Sequence, residues 1–280
     1  QREIAVRLGY TEHPGLKDVE RFMKHYFLVA KDVGDLTAIL CAELEDRQAK
    51  PAPVLSRMMA KLRPRGRRPL PEYEDFLDDN NRLSIGGKDV FERDPVNLIR
   101  MFRCAQKYDL VLHPDAMRAA TKSLRLIDSK LRHNPEANRL FLEIITSNDA
   151  EIILRRMNET GVLGRFVRAF GRIVALMQFS MYHHYTVDEH LLRCIGVLSA
   201  IENGELAKEH PLCHDIITTI ANRRALYLAV FLHDIAKGRE EDHSIAGART
   251  ARELGPRFGL SPAETETCAW LVEQHLVMSN

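Results

Sequence analysis

Six residues in the C-terminal half have the types and order of a metal-assisted hydrolytic site: His190, His233, Asp234, Lys237, His243 and His275. His233 and Asp234 close the apolar run from Ala225 to Leu232, so the pair is expected to be carried into the interior. A buried carboxylate beside an imidazole is costly unless something compensates it, and a divalent cation would do so. Imidazole suits Mn, Fe, Zn or Ni, and carboxylate suits Mg, Mn or Ca; the mixed set therefore favours Mn or Fe, with Mg possible. Lys237 follows Asp234 by three positions and His233 by four, which places it on the same helix face. Its ammonium could hold a phosphate oxygen beside the ion, or simply snorkel from a helix end. An ion so held brings the pKa of bound water toward about 7, which makes hydrolysis of a phosphate ester the chemistry to expect. A lone His-Asp dipeptide is a weak signal, because satisfied buried pairs are common. The order His190, His-Asp-x-x-Lys, His243, His275 is what gives it weight.

Other constellations carry less. His210, Cys213 and His214 have metal-like spacing, but Pro211 interrupts them and a structural zinc site needs four ligands, so they are read as an ordinary loop. Ser244 has no base at a recognisable spacing, which disfavours Ser/His/Asp catalysis. His25 and His113 are read as core or surface residues without chemistry. His183 and His184 precede His190 and either line the cleft or orient a loop. The five cysteines are scattered, odd in number and without a CxxC, so a disulfide framework and a zinc ribbon are disfavoured and a reducing, cytoplasmic setting fits. The net charge of +1 gives no global field for nucleic acid or an anionic membrane, and the apolar run before His233 is too short to span a bilayer.

The elements that must position these residues read as mainly α, a helical bundle region followed by an all-helical domain. Residues 18–47 place Phe22, Tyr26, Val29, Val33, Leu36 and Leu40 at three- and four-residue steps, predicting a helix with an apolar face. Residues 51–71 hold five prolines and the basic run Lys61, Arg63, Arg65, Arg67, Arg68, which reads as a solvated loop or a phosphate-contacting arm. Residues 84–90 suggest a turn beside a short strand. Asp94-Pro95 is expected to start a helix with Val96, Leu98, Ile99 and Phe102 inward. A helix of about a dozen residues is expected after Asp149, stopped by Gly161. Residues 163–180 are expected to form one amphipathic helix with Arg165, Arg168 and Arg172 on its solvated face. No alternating run is long enough to predict a substantial sheet. A domain boundary is placed near residue 140, giving 1–140 as a helical scaffold and 141–280 as the domain with the chemistry.

In type, order and spacing the six residues resemble the HD superfamily of metal-dependent phosphohydrolases. That resemblance implies a helical fold gathering a first His, the His-Asp doublet and a final Asp around one or two ions, with His243 and His275 at the positions of a second ion. The segments 24–37, 90–102, 177–190 and 231–239 are together similar to the bacterial bifunctional uridylyltransferase/uridylyl-removing enzymes of nitrogen regulation. This implies that the HD domain removes UMP from a tyrosine of the PII signal protein. It also implies a separate nucleotidyltransferase domain that adds UMP, and C-terminal ACT domains that sense glutamine. Asp78-Asp79 has no glycines before it, and Gly86-Gly87 follows it, so a transferase active site is not expected within these residues. ACT domains are not expected in them either. Gln1 and Asn280 are read as the ends of an excised piece, and the final HD Asp is expected past His275, beyond a C-terminal truncation. Two alternatives stand beside this reading: an HD hydrolase of free nucleotides, and a non-catalytic scaffold that docks PII.

Overall fold

The structure, a computed structural model, describes residues 1–48, 67–177 and 185–277. Lys61, Arg63, Arg65, His183 and His184 lie outside the described residues.

The chain opens with α1 (Arg2–Arg7) and α2 (Asp18–Gln48). The predicted helix over 18–47 is present, but its apolar stripe faces outward: Tyr26 is 56%, Val33 57% and Leu36 67% exposed. Val19 and Met23 are buried instead. Lys24 and Lys31 tie α2 to the body of the chain, donating to the carbonyls of Arg172 (2.8 Å) and Glu159 (3.2 Å).

A four-stranded sheet follows: β1 (Arg68–Leu70), β2 (Tyr73–Asp78), β3 (Arg82–Ile85) and, after α3 (Val90–Arg93) and α4 (Asn97–Lys107), β4 (Val111–Leu112). The first three strands pair antiparallel in order, and β4 joins β3 in parallel. The β2–β3 reversal is made by Asn80 and Asn81, both with positive φ (54° and 67°). Asparagine tolerates that conformation, and two such residues match the twist of a hairpin. The sequence predicts no substantial sheet, and this one is small: its strands of 3, 6, 4 and 2 residues are too short for a period-two pattern to stand out. α4 starts two residues later than expected, because the Asp94 carboxylate accepts from Val96 N (3.0 Å) and holds a turn ahead of the helix. Its expected inward face, Val96, Leu98, Ile99 and Phe102, is buried.

The remaining elements are helical: α5 (Pro114–Lys122), α6 (Ser129–Arg132), α7 (Pro135–Ile145), α8 (Ala150–Glu159), α9 (Val162–Phe166), α10 (Arg168–Ile173), α11 (Val187–Glu202), α12 (Pro211–Ile217), α13 (Arg223–Leu232), α14 (His243–Arg257) and α15 (Pro262–Glu273). α8 ends as expected before Gly161, whose φ of 77° a side chain would resist. The single helix expected over 163–180 is two short ones. Val167, in an extended conformation (φ −107°, ψ 90°), separates α9 from α10, and Ala175 turns the chain again at φ 57°. His210 to His214 lie at the start of α12 rather than in a loop, and His214 Nδ1 donates to the carbonyl of Ile201 (2.8 Å).

One continuous apolar cluster runs from the sheet through α15. Phe141 on α7 is its hub, with ring centroids 5.5 Å from Phe166, 5.8 Å from Phe231 and 5.0 Å from Phe258. Phe231 also stacks on Phe170, 5.4 Å away and tilted by 7°. Buried aromatic pairs contribute about 0.5–1.5 kcal/mol each beyond their area. Through Phe231 they fix the end of α13, two residues before His233.

Candidate metal centre

His233 is the C-cap of α13, and Asp234 continues in a run of turns rather than a helix. Ile235 N bonds to Leu232 O and Lys237 N to Asp234 O, three-residue closures tighter than an α-turn. Gly238 ends the run at φ 78°. The expectation that His233, Asp234 and Lys237 share a helix is thus replaced by a tight turn that keeps the two side chains on one side. Lys237 Nζ donates to Asp234 Oδ2 at 2.7 Å; Asp234 is buried and Lys237 half-buried.

His190 arrives from the second turn of α11. That helix is seated by Asp188, whose buried carboxylate accepts from Ala175 N (3.1 Å) and from Asn158 Nδ2 (3.0 Å). His243 is the first residue of α14, set by Asp242, which accepts from Ser244 N (2.9 Å) and Ile245 N (3.1 Å). His275 follows α15, whose start is fixed by Pro262 and the reciprocal Ser261–Glu264 capping box. α14 and α15 pack closely at Gly247, where a Cβ would stand 2.8 Å from Val272.

All of these residues converge on Asp234. Its Oδ2 lies 3.6 Å from His190 Nε2 and 3.5 Å from His233 Nε2; its Oδ1 lies 3.6 Å from both His243 Nε2 and His275 Nε2. His190 Nε2 and His233 Nε2 are 3.1 Å apart. His233 Nδ1 donates to the carbonyl of Val230 (2.8 Å) and His275 Nδ1 to that of Val272 (2.7 Å). Those bonds fix the tautomers so that each Nε2 lone pair faces the carboxylate, the arrangement found behind metal-ligating histidines.

Three of the converging atoms, Asp234 Oδ1, His243 Nε2 and His275 Nε2, are buried without a hydrogen-bond partner. Such atoms are expensive unless a further group satisfies them. Burial opposes ionisation of Asp234, but His275, His233 and Lys237 outweigh it and hold its carboxyl well below the usual range. Burial also lowers His233 and His243, so they stay neutral, as ligands must be. The Asp234 carboxylate raises His275. An anionic carboxylate, the neutral imidazoles of His233 and His243, and orphaned donor atoms fit a divalent cation.

Two residues here lie outside the set expected from the sequence. Cys194 sits one turn after His190 on α11, with Sγ 3.6 Å from His190 Nε2, and groups with His190 and His233 as Asp234 does with His243 and His275. Its signal was the four-residue spacing from His190. Burial, reinforced by the nearby Asp234 charge, pushes its thiol up to about 11. Asp188 left no signal, because its role depends on the backbone turn at Ala175. Elsewhere, His113 caps α5 and His25 meets the Tyr10 hydroxyl at 2.5 Å.

Residues 187–280 match the HD domain, so all six site residues lie in a domain of a metal-dependent class. Residues 76–166 match the uridylyltransferase GlnD third domain, and residues 1–41 the GlnD PII-uridylyltransferase family. Over its whole length the chain is 66% identical to the bifunctional uridylyltransferase/uridylyl-removing enzyme of Bradyrhizobium diazoefficiens. It is 67% identical to that of Nitrobacter hamburgensis and 66% to that of Rhodopseudomonas palustris. Over its whole length the chain is thus similar to bifunctional uridylyltransferase/uridylyl-removing enzymes, and it spans 30% of the length of each of these relatives. Among the described residues, no helix is long and apolar enough to cross a membrane.

Proposed function

We propose that this chain carries the phosphodiesterase of its relatives and releases UMP from a uridylylated tyrosine of PII. The observation that carries the reading is the convergence of four imidazoles on the two oxygens of one buried carboxylate, with three of the atoms left unsatisfied. His190, His233, Asp234, His243 and His275 are the proposed ligands. Asp234 Oδ2 faces His190 and His233 and Oδ1 faces His243 and His275, so these residues would hold one or two ions. Mn or Mg is the proposed metal, with Fe also suited to this donor set. Such a metal supplies hydroxide near neutral pH and a positive anchor for a phosphate oxygen.

Lys237 is the proposed catalytic cation. Its ammonium neutralises Asp234 in the free protein and turns toward the phosphoryl oxygens as charge builds on them. The leaving phenolate has an ordinary pKa near about 10, so it departs with less general-acid help than an alkoxide needs. Glutamine control through ACT domains, a cytoplasmic location and the absence of nucleic-acid or membrane partners belong to the same proposal. So does the division into a scaffold, 1–140, and an HD domain, 141–280, with α7 crossing the boundary.

The test is UMP release from uridylylated PII with Mn, comparing wild type with Asp234→Ala. Release by wild type alone is expected. Equal release by the two proteins would remove Asp234 from the chemistry, and turnover of free nucleotides in place of uridylylated PII would change the substrate.

A further inference from the structure

A second site lies on the other side of the Asp188 clamp. Between α2 and the α8–α10 segment is a recess of about 500 Å³. Five cations line it, Lys24, Lys31, Arg132, Arg165 and Arg168, against one carboxylate, Asp32. Lys24 and Lys31 stand seven residues apart on one face of α2. Gly164 and Gly171 bring the arginines together: a Cβ on Gly171 would lie 2.6 Å from the carbonyl oxygen of Gly164, so α9 and α10 meet backbone to backbone. Arg165 and Arg168 have no carboxylate at ion-pair distance among the described residues. Arg132 donates to the carbonyl of Ile127 (2.8 Å), and its guanidinium is lowered by burial and then by its neighbours Arg168 and Arg165. Burial also lowers Lys24. Asp128 and Asp188 counter these charges only in part.

Like charges gathered around a recess repel one another, and an anion bound there would remove that cost. Arginine forks match phosphate oxygens, and the volume is that of a small-molecule site. Leu28, Leu124 and Val174 add an apolar wall on which a ring can rest. The near-zero net charge disfavours a long nucleic acid. We propose that this recess binds a phosphate-bearing small molecule of nucleotide size. The site is separate from the hydrolase reading and does not rest on it. Its wall includes Asn158, which donates to Asp188, and Val174, next to the Ala175 amide that Asp188 also holds. An occupant therefore bears on the residues that seat α11, the helix carrying His190.

The experiment is calorimetric titration of the metal-stripped chain with pyrophosphate and with ATP in about 0.15 M salt, where surface charge is largely screened. One-to-one binding is expected, weakened at least tenfold in the double variant Arg165→Ala/Arg168→Ala and unchanged in Asp234→Ala. Both arginines are exposed, so the double variant should keep the wild-type fold, read from its far-ultraviolet circular dichroism. Tighter binding of ATP than of pyrophosphate would assign the apolar wall to a nucleoside; equal binding would assign the site to phosphate alone. Absence of binding by both probes, undiminished binding by the double variant, or loss in Asp234→Ala would overturn the proposal.

Discussion

Asp234 Oδ1 and His275 Nε2 face each other across 3.6 Å, both buried and both without a hydrogen bond. Two ligands each about 2.0–2.2 Å from a shared ion stand at comparable spacing. The polar cost of this site is thus left to be offset by a cation, and Mn should stabilise the fold. A free-ion concentration 100 times the dissociation constant is worth about 2.7 kcal/mol. A melting-temperature rise with Mn is expected in wild type and none in Asp234→Ala; a matching rise in the variant would contradict it.

Lys237 should separate binding from turnover. Replacing it with Met should leave Mn binding in place while lowering kcat roughly 10²–10³-fold, the usual loss when a transition-state donor is removed. A variant that loses only metal affinity would show that Lys237 does no more than neutralise Asp234.

Cys194 is near enough to His190 to suggest a third ligand, yet without metal its thiol is pushed up to about 11, so an ion would first have to displace its proton. Thiolate is the form that binds metal. The cobalt-substituted protein should therefore lack a thiolate charge-transfer band, and Cys194→Ala should hold Mn within about threefold of wild type. An intense near-ultraviolet band that vanishes in Cys194→Ala would make the sulfur a ligand.

Asp188 should act through position. In Asp188→Ala the Ala175 amide and Asn158 lose their acceptor, at a cost of about 1–3 kcal/mol for each buried group left unpaired. Urea unfolding should show that loss. Metal affinity should fall with it, because His190 is two residues further along α11, and Asp188→Asn should recover part of both.

Glu202 gives a pH signature remote from the centre. Arg223 donates to its carboxylate, which desolvation opposes, and Tyr227 donates at 2.6 Å; together they hold Glu202 below its ordinary value. A depressed carboxyl contributes stability above the unfolded pKa, near about 4.3, and loses it as pH falls through the folded value. The melting-temperature gap between wild type and Glu202→Gln should be widest above about pH 5 and close on acidification.

The site was more legible in the sequence than its supports. An apolar run ending in His-Asp announces a buried polar pair, and histidines that begin or follow helices can be read from capping residues. The convergence of His190, His243 and His275 on Asp234 followed from that order together with the resemblance. The sheet was hidden because Asn80-Asn81 makes a hairpin without glycine and its strands are short. The break at Val167 was hidden because Val167 is apolar and keeps the helical rhythm while its backbone leaves it. Periodicity reports the apolar stripe of α2 but not what covers it, and the stripe faces outward.

Gly15 and Gly238 meet at a seam. Both have φ near 80°, and a Cβ on Gly15 would stand 2.6 Å from the Gly238 carbonyl oxygen. The seam joins the approach to α2 directly to the turn that holds Lys237, with no helix between the two. In mechanical terms the chain has a short lever there, and its stiffness depends on neither glycine acquiring a side chain.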